Sequence, residues 1–287
     1  MNLAISILID GVSYGMVLFI ISIGLSITMG LLRVINMAHG GFAMIGGFIA
    51  AFATARFGAS FEVALVVSVV AVAMLSIPIE RLLMRRVYAR DELDQTLLTI
   101  GMIFVMMAAV NLMFGSTVTA LRIPDYLAGS ITVADHTFPK YRILVLGAGL
   151  GVAAGLWYLI ERTPFGIQVR AAVDNASIAQ TVGVDTPRLY TLAFAMGAGL
   201  AALGGVIGAQ LLPMEPGYAL KYLVLFLAVV TVGGLGTVGG TLAAALFLGV
   251  IDTAAKYLLP DIASVALFLA MFVVLSLRPN GLFGRMS

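Results

Sequence analysis

Not one cysteine occurs among the 287 residues, and only 10% of them are charged. The first absence excludes disulfides, thiolate metal sites and a cysteine nucleophile. The second sets the chain apart from soluble domains, in which about 25% of residues are charged. A net charge of +2, scattered along the chain, is too small for a nucleic-acid partner. Phosphate loops are missing too. Each of the three lysines, Lys140, Lys221 and Lys256, is followed by tyrosine, so no GxxxxGK[ST] motif exists and this chain cannot itself be the ATPase of a pump. HExxH and GxSxG motifs are also absent, and two histidines, His39 and His136, are a poor supply for a metal or serine hydrolase. A membrane-embedded enzyme would have neither nucleophile nor metal cluster to work with.

What is present is apolar residue, 61% of the chain with a mean hydropathy of +1.10. A helix needs roughly 20 mainly apolar residues to cross the hydrocarbon, and irregular backbone cannot face lipid. The long apolar runs therefore predict an all-α, polytopic transmembrane bundle. Candidate spans lie at about 5–30, 35–56, 62–83, 94–116, 141–160, 189–212, 219–238, 241–259 and 262–277. The N-terminal run lacks a basic region and continues to Leu32, longer than a signal-peptide core, so it reads as the first span.

Alternation of nine spans puts ten of the 16 basic residues on one side: Arg33, Arg81, Arg85, Arg86, Arg90, Arg162, Arg170, Arg188, Arg278 and Arg285. Cytoplasmic loops are enriched in Lys and Arg, so that side is read as inside. The other long polar segment, 116–140, then faces outward. Its two alternating stretches flank Pro124 and Asp125, which predicts a small external hairpin turning there.

Glycines divide into two kinds. Gly147, Gly151 and Gly155 form a GxxxGxxxG ridge, and Gly197, Ala201 and Gly205 a second one, both spaced for close helix packing. The run Gly233, Gly234, Leu235, Gly236, Thr237, Val238, Gly239, Gly240 is too glycine-dense to remain helical and predicts a tight turn or a broken helix. A second break is expected over Arg33 to Gly47, where Asn36 and His39 precede Gly40 and Gly41. Transporters place such breaks where freed backbone faces a cavity. Asp252 and Lys256, spaced i and i+4 within one span, are expected to neutralise each other.

One polar island remains, Glu161 to Arg188, reading ERTPFGIQVRAAVDNASIAQTVGVDTPR. After a Pro-Gly turn, Ile167 to Gly183 reads as a short helix with Val169, Ala172, Val173, Ala176, Ala179, Gln180 and Gly183 on roughly one side. It is too short and too polar to span. A small-residue helix joined rigidly to spans on both sides suits the groove of a cytoplasmic partner.

The island, with R-T-P-F-G and then R-A-A-x-x-D-N-x-x-x-A-x-x-x-G-V at Arg170 to Val184, resembles the coupling segment of permeases of the branched-chain amino acid ABC importer family, in particular the H-type subunit. V-I-N-M-A-H-G-G at Val34 to Gly41, the glycine run at Gly233 to Gly240 and R-P-N-G-L-F-G at Arg278 to Gly284 are similar to three further family motifs in the same order. The resemblance covers nearly the whole chain. It implies one permease domain, 1–287, in a bacterial inner membrane, with a coupling segment at 161–188 and an external loop at 116–140. Implied partners are a homologous M-type permease, two cytoplasmic ATPases that bind ATP and Mg, and a periplasmic substrate-binding protein; this chain carries no cofactor. Arg170, Ala171, Ala172, Asp174, Asn175, Ala179 and Gly183 are then expected at the ATPase contact. Asn36, His39 and Gly40, with Gly233, Gly234, Gly236, Thr237 and Gly240, are expected to line or gate the path. Branched-chain amino acids are the default substrate; urea and short amides, or aromatic acids, are alternatives within the family. A stand-alone ion-coupled transporter is the reading of a different class, and it requires an essential buried acid.

Overall fold

The computed structural model describes residues 3–117, 120–133 and 136–283. All nine apolar runs are helical: α1 (Leu3–Leu32), α2 (His39–Phe57), α3 (Phe61–Leu82), α4 (Glu92–Phe114), α5 (Lys140–Arg162), α7 (Thr186–Gly208), the pair α8 (Tyr218–Lys221) and α9 (Leu223–Gly233), α10 (Val238–Leu258) and α11 (Ala263–Leu277). The island forms α6 (Pro164–Thr181). Among the described residues, seven of these helices are long and apolar enough to cross a membrane. The run expected at 219–238 is split at Tyr222, and α11 has 15 residues, about 22 Å at 1.5 Å per residue. Neither alone matches the roughly 30 Å hydrocarbon thickness, so of the nine expected spans seven carry a helix of spanning length and two are shorter apolar segments.

Burial is concentrated on α1. Of its most apolar 18-residue window 83% is buried, against 17% for α5. Helix α1 packs against α10, α7, α5 and α9, with α2 and α3 joined to it through α7. Such packing needs small residues, because between lipid-compatible surfaces contact itself supplies the attraction. Gly24 and Gly197 meet where α1 crosses α7, and a Cβ on Gly24 would stand 2.4 Å from the Gly197 carbonyl oxygen. The second predicted glycine ridge is therefore a packing surface. The first is not one within this chain. A Cβ on Gly147, Gly151 or Gly155 would meet no other part of the chain within 4 Å, because α5 buries Tyr141, Val145, Gly149 and Leu156, a stripe half a turn away.

Two segments run only part-way through the bundle. After α1 ends, Arg33 to Ala38 turn back along it, and His39 Nε2 donates to the Ile21 carbonyl at 2.9 Å. Ile21 lies about 16 Å along the helix axis from Leu32 at 1.5 Å per residue, so α2 begins at mid-depth. From there it runs beside α4, where Phe48 meets Phe114 with ring centroids 5.4 Å apart. The second partial segment, Ala209 to Tyr222, brings α8 against the start of α2: a Cβ on Gly40 would be 3.2 Å from the Ala219 carbonyl oxygen.

The hairpin exists, but its turn is not at Pro124. Strands β1 (Ser130–Val133) and β2 (His136–Pro139) pair antiparallel with Ile131 opposite Phe138, so both lie in the stretch after Pro124. Leu127 and Ala128 donate to the Pro124 carbonyl at 2.9 and 3.0 Å, and this local turn consumes the reversal the proline was expected to make. Gly284 and Arg285, like the side chain of His136, lie outside the described residues.

Candidate functional site

The end of the bundle that carries α6 gathers motifs far apart in sequence. Helix α5 stops at Thr163, which is extended at φ −118° and ψ 158°; its hydroxyl accepts the Gly166 N–H at 3.4 Å while Pro164 starts α6. A proline fits the first helical turn because its missing N–H would be unpaired there. Inside α6, Asn175 leaves helical geometry at φ −156° and ψ 103°, and its Oδ1 accepts the Ile178 N–H at 3.0 Å. Asn175 thus ends one half-helix and caps the next. Gly183, at φ +93°, closes the second half: Val184 N–H donates to the Ala179 carbonyl and Gly183 N–H to the Gln180 carbonyl, each at 3.0 Å. This Schellman pair needs a left-handed residue, for which glycine carries no Cβ penalty. Asp185 then caps α7, accepting the Arg188 N–H at 3.1 Å.

The small-residue face of α6 is turned toward this chain itself. Val169 and Ala172 pack with Leu31 of α1 and Leu189 and Ala193 of α7, and Ala179 is also buried. Arg170, Asp174, Asn175 and Gly183 are exposed and Ala171 half-buried. Beside them stand three apolar side chains that sequence reasoning did not single out, Ile167 and Ile178, each 61% exposed, and Val182, 75% exposed.

Three arginines hold the island to the bundle through main-chain carbonyls. Arg33 Nη2 donates to the Val173 carbonyl at 3.1 Å. Arg170 donates to the Ile160 carbonyl and lies 3.7 Å from Glu161 Oε2. Arg85 Nη2 donates to the Pro187 carbonyl at 2.8 Å and to Thr191 Oγ1 at 2.6 Å, while its Nε meets Glu80 Oε1 at 3.0 Å. Glu80 is fully buried and accepts also from Thr191 Oγ1 at 2.8 Å and from Tyr88 at 3.1 Å. Burial, with the Glu80 carboxylate next to it, pushes the Tyr88 phenol above its ordinary pKa, so it stays a donor. Arg85→Ala strands the Glu80 charge, and losing one partner of a buried pair costs about 3–5 kcal/mol. Because the Arg85 side chain is 34% exposed, the lower end is expected, read as a fall in melting temperature that Glu80→Gln partly restores.

The glycine run is a tight turn at this same end. Gly234 and Gly236 have φ of +92° and +74°, Thr237 Oγ1 donates to the Gly234 carbonyl at 2.9 Å, and Gly233 and Gly240 bring α9 and α10 into backbone contact. Ser26 of α1 accepts the Gly236 N–H at 3.1 Å, and the Leu282 N–H of the C-terminal motif donates to the Val232 carbonyl at 2.7 Å. A cavity of about 480 Å³ opens between Gly30 and Leu31, Trp157, Arg170 and Asp174, and Gly236 and Thr237. The island, the glycine turn and the end of α1 therefore share one space. Asn36, His39 and Gly40 do not join it. Asn36 and His39 are each 2% exposed; Asn36 Oδ1 accepts the Ala38 N–H at 3.1 Å, and His39 is bound to Ile21 at mid-depth.

Among the described residues, the buried and half-buried acids are matched by cations. Lys256 Nζ lies 2.5 Å from Asp252, as the i, i+4 spacing predicts, and Arg142 pairs with Asp10, which also accepts from Tyr257 at 2.8 Å.

A helical bundle with partial segments reaching mid-depth and a polar helix clamped across one end is the build of a membrane permease. The chain belongs to the family described as the permease component of the branched-chain amino acid transport system, whose model matches residues 7–276. It is 27% identical to the high-affinity branched-chain amino acid transport system permease protein BraD of Pseudomonas aeruginosa, over 97% of this chain and 95% of that one. It is 27% identical to the corresponding permease protein LivH of Escherichia coli K12, over 96% and 94%. A solved structure, PsaBC from Streptococcus pneumoniae in complex with Fab, is similar at 14% identity and a TM-score of 0.48 over 93% of this chain and 89% of that one. That likeness is too distant to carry topology or function.

Proposed function

We propose that this chain is the H-type permease subunit of an ATP-driven importer that moves branched-chain amino acids across a bacterial inner membrane. The observation that carries the reading is α6. It cannot span, it is tied to α1, α5 and, through the Asp185 to Thr191 elbow, to α3, and it leaves Ile167, Ile178 and Val182 exposed beside Asp174 and Asn175. Apolar side chains exposed beyond the end of a membrane bundle call for a protein surface, here a groove on a separate ATPase. A homologous permease would complete the path, and a periplasmic protein would deliver substrate. ATP and Mg belong to the ATPases. Closure of those subunits would press on α6 and shift helix ends that share the 480 Å³ cavity.

The pairing of Asp10, Glu80 and Asp252, whose side chains are 14%, 0% and 10% exposed, weighs against a stand-alone proton-coupled transporter, since none is left as an unneutralised carrier. The test is to purify the complete complex and measure ATP hydrolysis with its binding protein loaded in turn with leucine, isoleucine, valine, urea or an aromatic acid. Stimulation by the three branched-chain ligands is expected; stimulation by urea alone would move the substrate assignment. His39→Gln is expected to retain uptake within about twofold, because a Gln amide can still donate to the Ile21 carbonyl and one neutral hydrogen bond contributes only about 1 kcal/mol. A tenfold loss would instead make the imidazole part of the path.

A further inference from the structure

We infer that Arg33 is the positioning residue through which α6 sets the place of the mid-membrane start of α2. The inference rests on the reading of α6 as the ATPase contact and adds the route by which movement leaves it.

Among the described residues Arg33 is the one non-glycine with a positive φ, +54°. A residue with a Cβ disfavours that region, and surrounding contacts must hold it there. The backbone hold is the Arg33 N–H to the Met29 carbonyl, 3.0 Å, which ends α1. The side-chain hold is the 3.1 Å bond to the Val173 carbonyl. Val173 stands two residues before the Asn175 break, so Arg33 grips the half of α6 that follows the Thr163 turn out of α5, next to the joint where α6 can bend. From the same residue the chain rises as Val34 to Ala38 to the point where His39 binds Ile21. Guanidinium and backbone of one residue therefore join the island to the root of the re-entrant segment. A bend of α6 at Asn175 that displaces Val173 displaces Arg33, and with it the five residues that suspend the start of α2 beneath Gly40 and its contact with Ala219.

A cation after a helix C-terminus also stabilises that helix electrostatically, and this ordinary role predicts something different. A residue that only stabilises α1 lowers uptake and ATP hydrolysis together. A positioning residue separates them. The assay uses the complete importer in liposomes, with leucine-loaded binding protein, and reads labelled leucine taken up per ATP hydrolysed. Arg33→Ala is expected to leave subunit co-purification and stimulated hydrolysis within about twofold of wild type, yet to lower leucine per ATP at least about tenfold. Arg33→Gly relieves the backbone while removing the guanidinium, and it should fail in the same way. Arg33→Lys, which keeps one donor, should recover a substantial part of the ratio.

An unchanged ratio in Arg33→Ala, recovery by Arg33→Gly, or parallel loss of both readings overturns the inference, as does failure of both the Ala and Gly variants to assemble. A wild-type complex that hydrolyses ATP without leucine uptake would instead overturn the importer reading on which the inference stands.

Discussion

Gly24→Val is expected to eliminate the folded permease from detergent extracts, while Gly147→Val leaves its yield and melting temperature nearly unchanged. The two glycines look alike in sequence, each set in an apolar run. A Cβ at Gly24 would meet three backbone atoms of Gly197 within 3.0 Å, none of which can swing aside as a side-chain tip can. Overpacking a well-packed interior costs typically 1–3 kcal/mol, and more when backbone must move. Here the displaced element is α1, the helix most of the bundle packs on, so the loss is expected at or beyond the upper figure. A Cβ at Gly147 would meet no other part of the chain within 4 Å, and a surface substitution away from special features stays within about 0.5 kcal/mol. Size-exclusion profiles and thermal melts of the two variants check this. A native profile for Gly24→Val would show that α1 and α7 do not cross so closely.

The second large effect is expected from Ile178→Glu combined with Val182→Glu. Ile178 is exposed on the second half of α6 and Val182 at its C-cap, so the permease itself should fold and melt as wild type. Two carboxylates placed in an apolar contact must be desolvated on docking, at several kcal/mol for each unpaired charge. Co-purification of ATPase should be lost, and uptake should fall at least about a hundredfold. Retention of both would exclude this face as the ATPase contact. Ala179→Glu is a poorer probe of the same idea, because Ala179 is buried against its own chain and a charge there disrupts the island before any partner meets it.

That contrast marks the limit of what the residues alone could tell. The periodicity of α6 was legible, since Val169, Ala172 and Ala179 do share one face, but not which body the face meets. Small residues there are explained by the close passage of α1 and α7, whereas a partner-facing surface was inferred from the same smallness. The nine apolar runs and the glycine turn were legible because each rests on local rules of length and backbone freedom. The depth of α2 was not. The break expected over Arg33 to Gly47 carries no depth by itself, and only the bond from His39 to Ile21 shows that the chain climbs back along α1. Arg33 counted merely as one more positive charge on the inner side, because its carbonyl partner lies 140 positions away.

The central place of α1 also bears on how the protein is made. Its main partners, α7 and α10, begin at Thr186 and Val238, so α1 leaves the ribosome well before either of them. At about 5–20 residues per second, α10 follows α1 by roughly 10–40 s. Throughout that interval Ser22, Ser26 and Thr28, all buried in the finished bundle, must face lipid or the insertion machinery. Thr28 satisfies its own hydroxyl against the Gly24 carbonyl at 3.0 Å, whereas Ser26 finds Thr241 and the Gly236 N–H only once α10 has entered. The hydroxyl of Ser26 therefore stays without these partners until α5, α7 and α9 have already been made.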